Sequence, residues 1–117
     1  MELHFDPSAA LARMDDDTEL LKMLIGVFLG ERQSYRQKIQ SAIESASATA
    51  LGDAAHTVKG ASAAIGLEYV RSPAERTEKL ARSGVSLEDT ALQRQASELL
   101  NALDTCEPVL TTWASEH

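Results

Sequence analysis

A single histidine with a lysine three residues later is the clearest candidate for chemistry in this sequence. His56 and Lys59 belong to the stretch AHTVKGASAAIG, which runs from Ala55 to Gly66. An exposed imidazole titrates at about pH 6.5, so at pH 7 it is largely neutral and can act as a nucleophile. A lysine on the same side of a helix could neutralise an incoming phosphoryl group. This chemistry requires His56 to point away from the core.

Helical geometry predicts the direction in which His56 points. With Val58 at the centre of the buried face, His56 lies about 160° away, and Lys59 lies about 100° away on the same side. The other apolar positions fall within about 60° of Val58, namely Leu51, Ala54, Ala61 and Ile65. The sequence therefore places His56 on the outer face of its helix.

Small residues surround this outer position. Gly52 and Gly60 lie one turn before and one turn after His56, Asp53 lies beside Gly52, and Ala63 falls on the same side. Glycine inside a helix costs roughly 0.5–1 kcal/mol relative to alanine, so two glycines here indicate that another molecule approaches closely. A lone surface histidine is nevertheless most often simply solvated, and on the spacing alone both interpretations stay open.

Five helical segments are predicted to position this site. A short helix begins at Asp6-Pro7 and ends near Met14, and a long one covers Thr18 to about Ser45. A third helix is capped by Ser47 or Thr49 and ends at Gly66. A fourth covers roughly Glu68–Arg82, and Pro73 either starts it or kinks it.

The last predicted helix has the most regular apolar stripe. It follows Ser86-Leu87-Glu88-Asp89, and its apolar residues alternate in steps of four and three: Leu92, Ala96, Leu99, Leu103, Cys106, Leu110 and Trp113. Such spacing is typical of packing in an antiparallel bundle. The predicted fold is all-α, an antiparallel up-down four-helix bundle with a short additional N-terminal helix, in one domain over residues 1–117.

The composition argues against a nucleic-acid-binding protein and against a membrane-spanning one. The net charge of −7 argues against nucleic acid as a partner, because phosphate binding needs a basic surface. One cysteine, Cys106, cannot form an internal disulfide. The longest apolar run is too short to span a bilayer, and the acidic N-terminus lacks a signal-peptide pattern. We expect a cytoplasmic, monomeric domain without membrane contact.

Taken together, these residues resemble a known family. His56-Thr57-Val58-Lys59-Gly60, followed by Gly66, is similar to the signature of histidine-containing phosphotransfer (HPt) domains of bacterial phosphorelays. The similarity extends to an acidic turn before ELLKMLIGVFLGE and to RTEKLA after the histidine. Two positions depart from the family pattern: Val58 replaces a more usual leucine, and Pro73 falls where an apolar helical residue is common.

The resemblance implies a role for each matching residue. His56 is the phosphoacceptor, Lys59 is the cation beside the phosphate, and Glu78 hydrogen-bonds to the imidazole and orients it. Arg82, one turn later, adds to a positive rim. The implied function is a phosphocarrier rather than an enzyme: His56 accepts a phosphoryl group from a receiver-domain aspartate through Nε2 and passes it to another receiver.

The resemblance also implies a partner surface. A receiver domain, stand-alone or part of a hybrid sensor kinase, would dock over Gly52, Asp53, Gly60 and Ala63. Leu21, Leu24 and Phe28 of the second helix would extend this surface, although each is individually a better core candidate. The receiver would bring Mg²⁺, so no cofactor or metal site is expected in this chain.

Two other functions fit a helical bundle with an exposed histidine. One is an adaptor bundle whose histidine is never phosphorylated, and the other is the dimerisation and phosphoacceptor region of a sensor kinase. The second would be a two-helix hairpin that dimerises, and the five-segment pattern argues against it. A kinase that uses ATP itself is not expected, because no glycine-rich nucleotide loop is evident. His4 and His117 lie near the ends and are expected to be uninvolved.

Overall fold

A computed structural model describes residues 5–117 and shows five helices. They are α1 (Ser8–Arg13), α2 (Thr18–Glu44), α3 (Ala48–Ile65), α4 (Glu68–Ala81) and α5 (Thr90–Glu116). Helix α3 packs between α2 and α4, while α5 packs against α4 and α2, which closes a ring of four helices. The short α1 packs against α2 and α3. The predicted all-α bundle with a short N-terminal helix is confirmed.

Three of the four long helices have an N-cap residue whose side chain bonds to the first turn. Asp17, Ser47 and Asp89 each accept a hydrogen bond from the backbone N–H three residues later, at 3.0, 3.1 and 3.0 Å. Such caps satisfy amides that have no partner inside the helix. Ser47 rather than Thr49 is therefore the cap of α3. At the other end of α3, Gly66 adopts the left-handed conformation with φ of 74°, as its sequence position predicts.

Pro73 lies inside α4 rather than at its start. The helix begins at Glu68 and continues past the proline, whose ring is buried. Of the two alternatives that the sequence left open, a helix starting at Pro73 is therefore wrong. Proline has no N–H to bond to the carbonyl four residues earlier, while its own carbonyl accepts the Thr77 hydroxyl at 2.7 Å.

Interhelical ion pairs define the antiparallel arrangement. Arg32 and Arg36 of α2 pair with Glu107 and Asp104 of α5, so later residues of one helix meet earlier residues of the other. The same reversed order holds between α3 and α4, where Asp53 pairs with Arg82 and His56 with Glu78. Short connections between neighbouring helices favour this arrangement.

The core is formed by aliphatic residues on the inner faces of the helices. The largest fully buried side chains include Leu21, Ile39, Leu51, Val58, Ile65, Val70, Leu92, Leu99, Leu103 and Leu110. Cys106 is buried, as the stripe of α5 predicts. Trp113 is only partly buried, because it packs at the end of the bundle with its ring 5.9 Å from that of Phe5. None of the described helices is long and apolar enough to cross a membrane.

Candidate functional site

His56 projects from the outer face of α3, in the direction that helical geometry predicts. Its side chain is 63% exposed, whereas Val58 and Leu51 on the opposite face are fully buried. The ring is held from one side only. Its Nδ1 lies 2.8 Å from Oε2 of Glu78 on α4, and no described residue bonds to its Nε2. The buried face of α3 thus fixes the backbone at His56, while Nε2 of the ring faces outward and has no partner among the described residues.

Glu78 receives three basic groups at its carboxylate. Besides His56, Lys59 Nζ lies 2.6 Å from Oε1, and Arg82 Nε donates to Oε2 at 3.1 Å. The Glu78 side chain is only 12% exposed. Burial alone would raise its pKa, but the hydrogen bonds from Lys59 and Arg82 outweigh burial and lower the pKa of Glu78. Glu78 is therefore an ionised acceptor at neutral pH.

The charge state of Glu78 determines the tautomer of a neutral His56 ring. An ionised carboxylate can only accept hydrogen bonds. The proton between the two groups must then reside on Nδ1 of His56, which donates to Oε2 of Glu78. A neutral ring in this tautomer carries its lone pair on Nε2. The geometry thus leaves the outward nitrogen as the nucleophilic one.

Lys59 and Arg82 lie beside His56, but neither is an unpaired cation. Lys59 pairs with Glu78, while Arg82 pairs with both Glu78 and Asp53, the latter through Nη2 at 3.1 Å. The hydrogen bonds that Arg82 donates to Glu78 and Asp53 raise the pKa of Arg82. The structure brings Lys59, Glu78 and Arg82 together beside His56, but the sequence did not indicate that the predicted positive rim is neutralised by two carboxylates.

The expectation that Gly52 leaves the face open is wrong. Gly52 is buried, and the side chain of Arg82 covers it, since a Cβ at this position would lie 3.3 Å from Arg82 Cγ. Gly60, by contrast, is exposed, and a Cβ there would meet no neighbour within 4 Å. Ala63 is half-buried, and its carbonyl accepts a hydrogen bond from Arg13 of α1. Of these three small residues, Gly60 is therefore the one that leaves open space on this face.

Comparison with known families identifies the chain. The family model for the Hpt domain matches residues 23–106, which is more than half of the sequence and includes every residue of the His56 site. The chain belongs to the Hpt domain family. A solved structure, the HPt domain of the Hpt sensor hybrid histidine kinase from Shewanella, matches with a TM-score of 0.85.

This neighbour shares the whole architecture of the present Hpt domain. The match covers 99% of this chain and 98% of the Shewanella chain at 20% sequence identity. At that identity the likeness shows that the two proteins share a fold. A search of curated proteins found no significant match to the sequence. The family supports a phosphotransfer module of two-component systems, while the partners of this Hpt domain are a separate question.

The second helix of this Hpt domain presents different apolar residues from those expected. Leu21 and Phe28 are buried in the core, so a docking role for them is wrong, whereas Leu24 is partly exposed and packs against the core. The exposed large apolar residues of α2 are Met23 (60%), Val27 (57%) and, near its C-terminal end, Ile43 (41%). Sequence reasoning missed them because it followed the core stripe. A helical wheel of α2 contains the signal, since Met23 lies about 160° from Leu21.

A shallow groove with several polar side chains separates α2 from α3 next to the site. It is lined by Ser34, Lys38 and Ser41 of α2 and by Asp53 and Thr57 of α3. Val27 lies seven residues before Ser34, which places it about 10 Å along the same face of α2. Val27, and Met23 one turn before it, therefore continue the surface on which His56 lies. Among the described residues, no group of three or more His, Cys, Asp or Glu side chains could hold a metal ion.

Proposed function

We propose that this Hpt domain accepts a phosphoryl group on His56 from the aspartate of one receiver domain and passes it to the aspartate of another. The observation that carries the proposal is the 2.8 Å hydrogen bond between His56 Nδ1 and Glu78 Oε2, on a ring that is 63% exposed. This bond orients the ring and keeps the proton on Nδ1. It leaves Nε2 as the nucleophile on the side that a partner protein can approach.

The transfer step balances within these groups. The lone pair of Nε2 attacks the phosphorus of an aspartyl phosphate, so an N–P bond forms and the bond from phosphorus to the aspartate oxygen breaks. The aspartate leaves as a carboxylate, and the ring keeps its proton on Nδ1 and gains positive charge. Glu78 faces that proton and stabilises the charge. Onward transfer is the same step in reverse, to a different aspartate.

Lys59 supplies a cation next to the new phosphoryl group. In the unphosphorylated domain it pairs with Glu78 Oε1 at 2.6 Å, and its side chain is 30% exposed. A flexible lysine can turn toward a phosphoryl group at Nε2 while Arg82 still holds Glu78. The receiver would supply Mg²⁺ and most of the remaining charge stabilisation, so this chain mainly positions the nucleophile.

The receiver would dock over the face of α3 around Gly60 and over the adjoining face of α2. Gly60 leaves space beside His56, and Met23 and Val27 offer apolar area on α2. Apolar residues at the centre of a contact surface, with polar groups at its edge, are typical of protein interfaces. The polar groove residues Ser34 and Lys38 would form part of that edge.

Phosphate labelling tests the proposed function directly. The protein is incubated with a phosphorylated receiver and Mg²⁺, and the label on this chain is tested for lability in acid and stability in base. We expect label on the wild type and none on His56→Gln. His117→Gln and His4→Gln are matched controls that should keep the label; His4 lies outside the residues that the structure describes.

Two outcomes of that experiment would favour the other candidate functions. An unlabelled wild type, tested against the receivers of its own genome, would favour the adaptor bundle. Unchanged label on His56→Gln would place the phosphoacceptor elsewhere. Light scattering tests the sensor-kinase alternative, since we expect a monomer, and the closed ring of α2, α3, α4 and α5 supports this expectation. A cytoplasmic location stays a prediction, which fractionation of cells that express the tagged protein would test.

A further inference from the structure

Arg82 crosses the outer surface of α3 in a way that its sequence position does not predict. It caps the C-terminus of α4, yet its side chain reaches back across Gly52. A Cβ at Gly52 would lie 3.3 Å from Arg82 Cγ and 3.4 Å from Cζ and Nη1. The 3.3 Å distance is tighter than an ordinary van der Waals contact, so a Cβ at position 52 would require the arginine to shift by a few tenths of an ångström, and a larger side chain would move it further. Because Gly52 has no side chain, the side chain of Arg82 can cross α3 at this position.

That path ends on two carboxylates from two different helices. Arg82 Nε donates to Oε2 of Glu78 at 3.1 Å, and Nη2 donates to Oδ1 of Asp53 at 3.1 Å. The planar guanidinium fixes the angle between its donors. Asp53, which lies three residues before His56 on α3, therefore holds the end of the arginine that does not touch Glu78. The arrangement ties α4 to the turn of α3 that carries the histidine.

The oxygen that Arg82 holds is the same oxygen that accepts the His56 proton. Oε2 of Glu78 receives both Arg82 Nε and His56 Nδ1, whereas Lys59 holds Oε1. With both oxygens held, the carboxylate cannot rotate away from the ring. Without Arg82, the only cation on Glu78 is Lys59, and the carboxylate is free to turn toward it. The His56 hydrogen bond would then weaken.

We propose that Arg82 is a positioning residue for His56, acting through Glu78, and that Gly52 is a glycine because Arg82 must cross α3 at that point to reach Asp53. The significance of this arrangement for phosphotransfer rests on the proposed function. The arrangement itself is a property of the unphosphorylated protein. It assigns Gly52 to the support of the nucleophile rather than to contact with a receiver.

The tautomer of His56 tests the proposal without any transfer reaction. Two-bond ¹H–¹⁵N spectra of the full chain, recorded where the ring is neutral, report the ratio of the Nδ1–H to the Nε2–H form. We expect the Nδ1–H form to dominate in the wild type. Arg82→Gln should lower the ratio by about twofold to tenfold, since weakening or losing one hydrogen bond changes an equilibrium by about that much. Asp53→Asn should lower it less, because Arg82 still reaches Glu78.

Matched variants separate positioning from a general loss of structure. Gly52→Val and Gly60→Val place the same branched residue inside α3, but only position 52 lies under Arg82. The first should lower the tautomer ratio and the second should not. Arg76→Gln controls for Arg82→Gln, since Arg76 lies on the same helix and pairs with Glu98 and Gln95 of α5. A wild-type ratio in Arg82→Gln, or equal shifts in the two valine variants, would overturn the proposal.

Single-turnover transfer from a phosphorylated receiver extends the test to function. Arg82→Gln should slow transfer at saturating receiver and leave the half-saturating receiver concentration unchanged, because Arg82 acts on His56 and not on the partner. A slower reaction with an unchanged tautomer ratio, or a raised half-saturating concentration, would mean that Arg82 contacts phosphate or receiver directly and would refute its positioning role. A wild type that takes no label refutes the proposed function, while the tautomer ratios still decide the role of Arg82.

Discussion

Replacing Glu78 by alanine should distinguish the contribution of Glu78 to the stability of the bundle from its contribution to the orientation of His56. The carboxylate is 12% exposed, but its partners Lys59 and His56 are 30% and 63% exposed and can regain water. Solvent screening and the recovered desolvation cost then limit its net contribution to about 1 kcal/mol, at the upper end of the range for partly exposed ion pairs. For a domain of this size, that loss lowers Tm by about 4 °C.

The effect on phosphotransfer should be much larger than the effect on stability. Glu78→Ala frees the ring to rotate and removes the acceptor that keeps the proton on Nδ1. Misplacing a reacting group by about 1 Å can cost roughly 100-fold in rate, so we expect transfer to fall by about 10- to 100-fold. Rapid-quench measurement at saturating phosphorylated receiver gives this rate, and thermal unfolding gives Tm.

Glu75 provides the matched control for this substitution. It lies one turn earlier on α4 and pairs with Arg71 at 2.8 Å rather than with His56. Glu75→Ala should leave the transfer rate near that of the wild type. Glu78→Gln should fall between wild type and Glu78→Ala, because an amide oxygen still accepts from Nδ1 but carries no charge. A folded Glu78→Ala protein that transfers phosphate at the wild-type rate would refute the orienting role.

The stability difference between wild type and Glu78→Ala should also depend on pH. The folded protein lowers the pKa of Glu78 below its ordinary value of 4.5. The stability that this carboxylate contributes is therefore fully present above pH 4.5 and is lost as pH falls through the lower, folded pKa. Denaturant unfolding of both proteins between pH 7 and pH 3 should show the two free energies converging in acid. A constant difference across this range would contradict the ion-pair interpretation.

Four further predictions follow from burial and exposure. Phe28 is buried, so Phe28→Ala should lower the free energy of unfolding by about 3–5 kcal/mol. Val27 is 57% exposed, so Val27→Asp should change the free energy of unfolding by less than about 0.5 kcal/mol. The same Val27→Asp substitution should weaken receiver binding measured by calorimetry. Gly60→Ala should raise stability by about 0.5–1 kcal/mol in denaturant unfolding, because a Cβ there meets nothing. Burial raises the pKa of Tyr69 from 10.0 to about 12. The stability that the neutral phenol contributes is therefore fully present below pH 10 and is lost as pH rises toward 12. Ultraviolet titration of the wild type and of Tyr69→Phe should locate this ionisation.

Most of the fold and the central residues of the site could be predicted from the sequence. Helical periodicity and capping residues are local signals, which is why the boundaries of α2 and α3 and the C-terminal end of α4 agree with the sequence to within two residues. The outward direction of His56 follows from one angle on a helix. The pairing of His56 with Glu78 on α4 came from a family resemblance, because no rule of spacing connects positions 22 residues apart.

The parts that sequence reasoning missed depend on contacts between helices. Gly52 and Gly60 look equivalent along α3, and only the course of the Arg82 side chain distinguishes them. Exposure on α2 likewise depends on where α3 and α5 pack, so Phe28 is buried while its neighbour Val27 is not. A cation in a sequence also gives no indication of whether a carboxylate from another helix will neutralise it.

The charges around His56 balance one another. Lys59 and Arg82 face Glu78 and Asp53, so the four side chains carry no net charge as a group. A phosphoryl group adds about two negative charges at neutral pH, and it would therefore sit in surroundings that offer little electrostatic trapping. The site would then hold the phosphoryl group only briefly before it passes to a receiver.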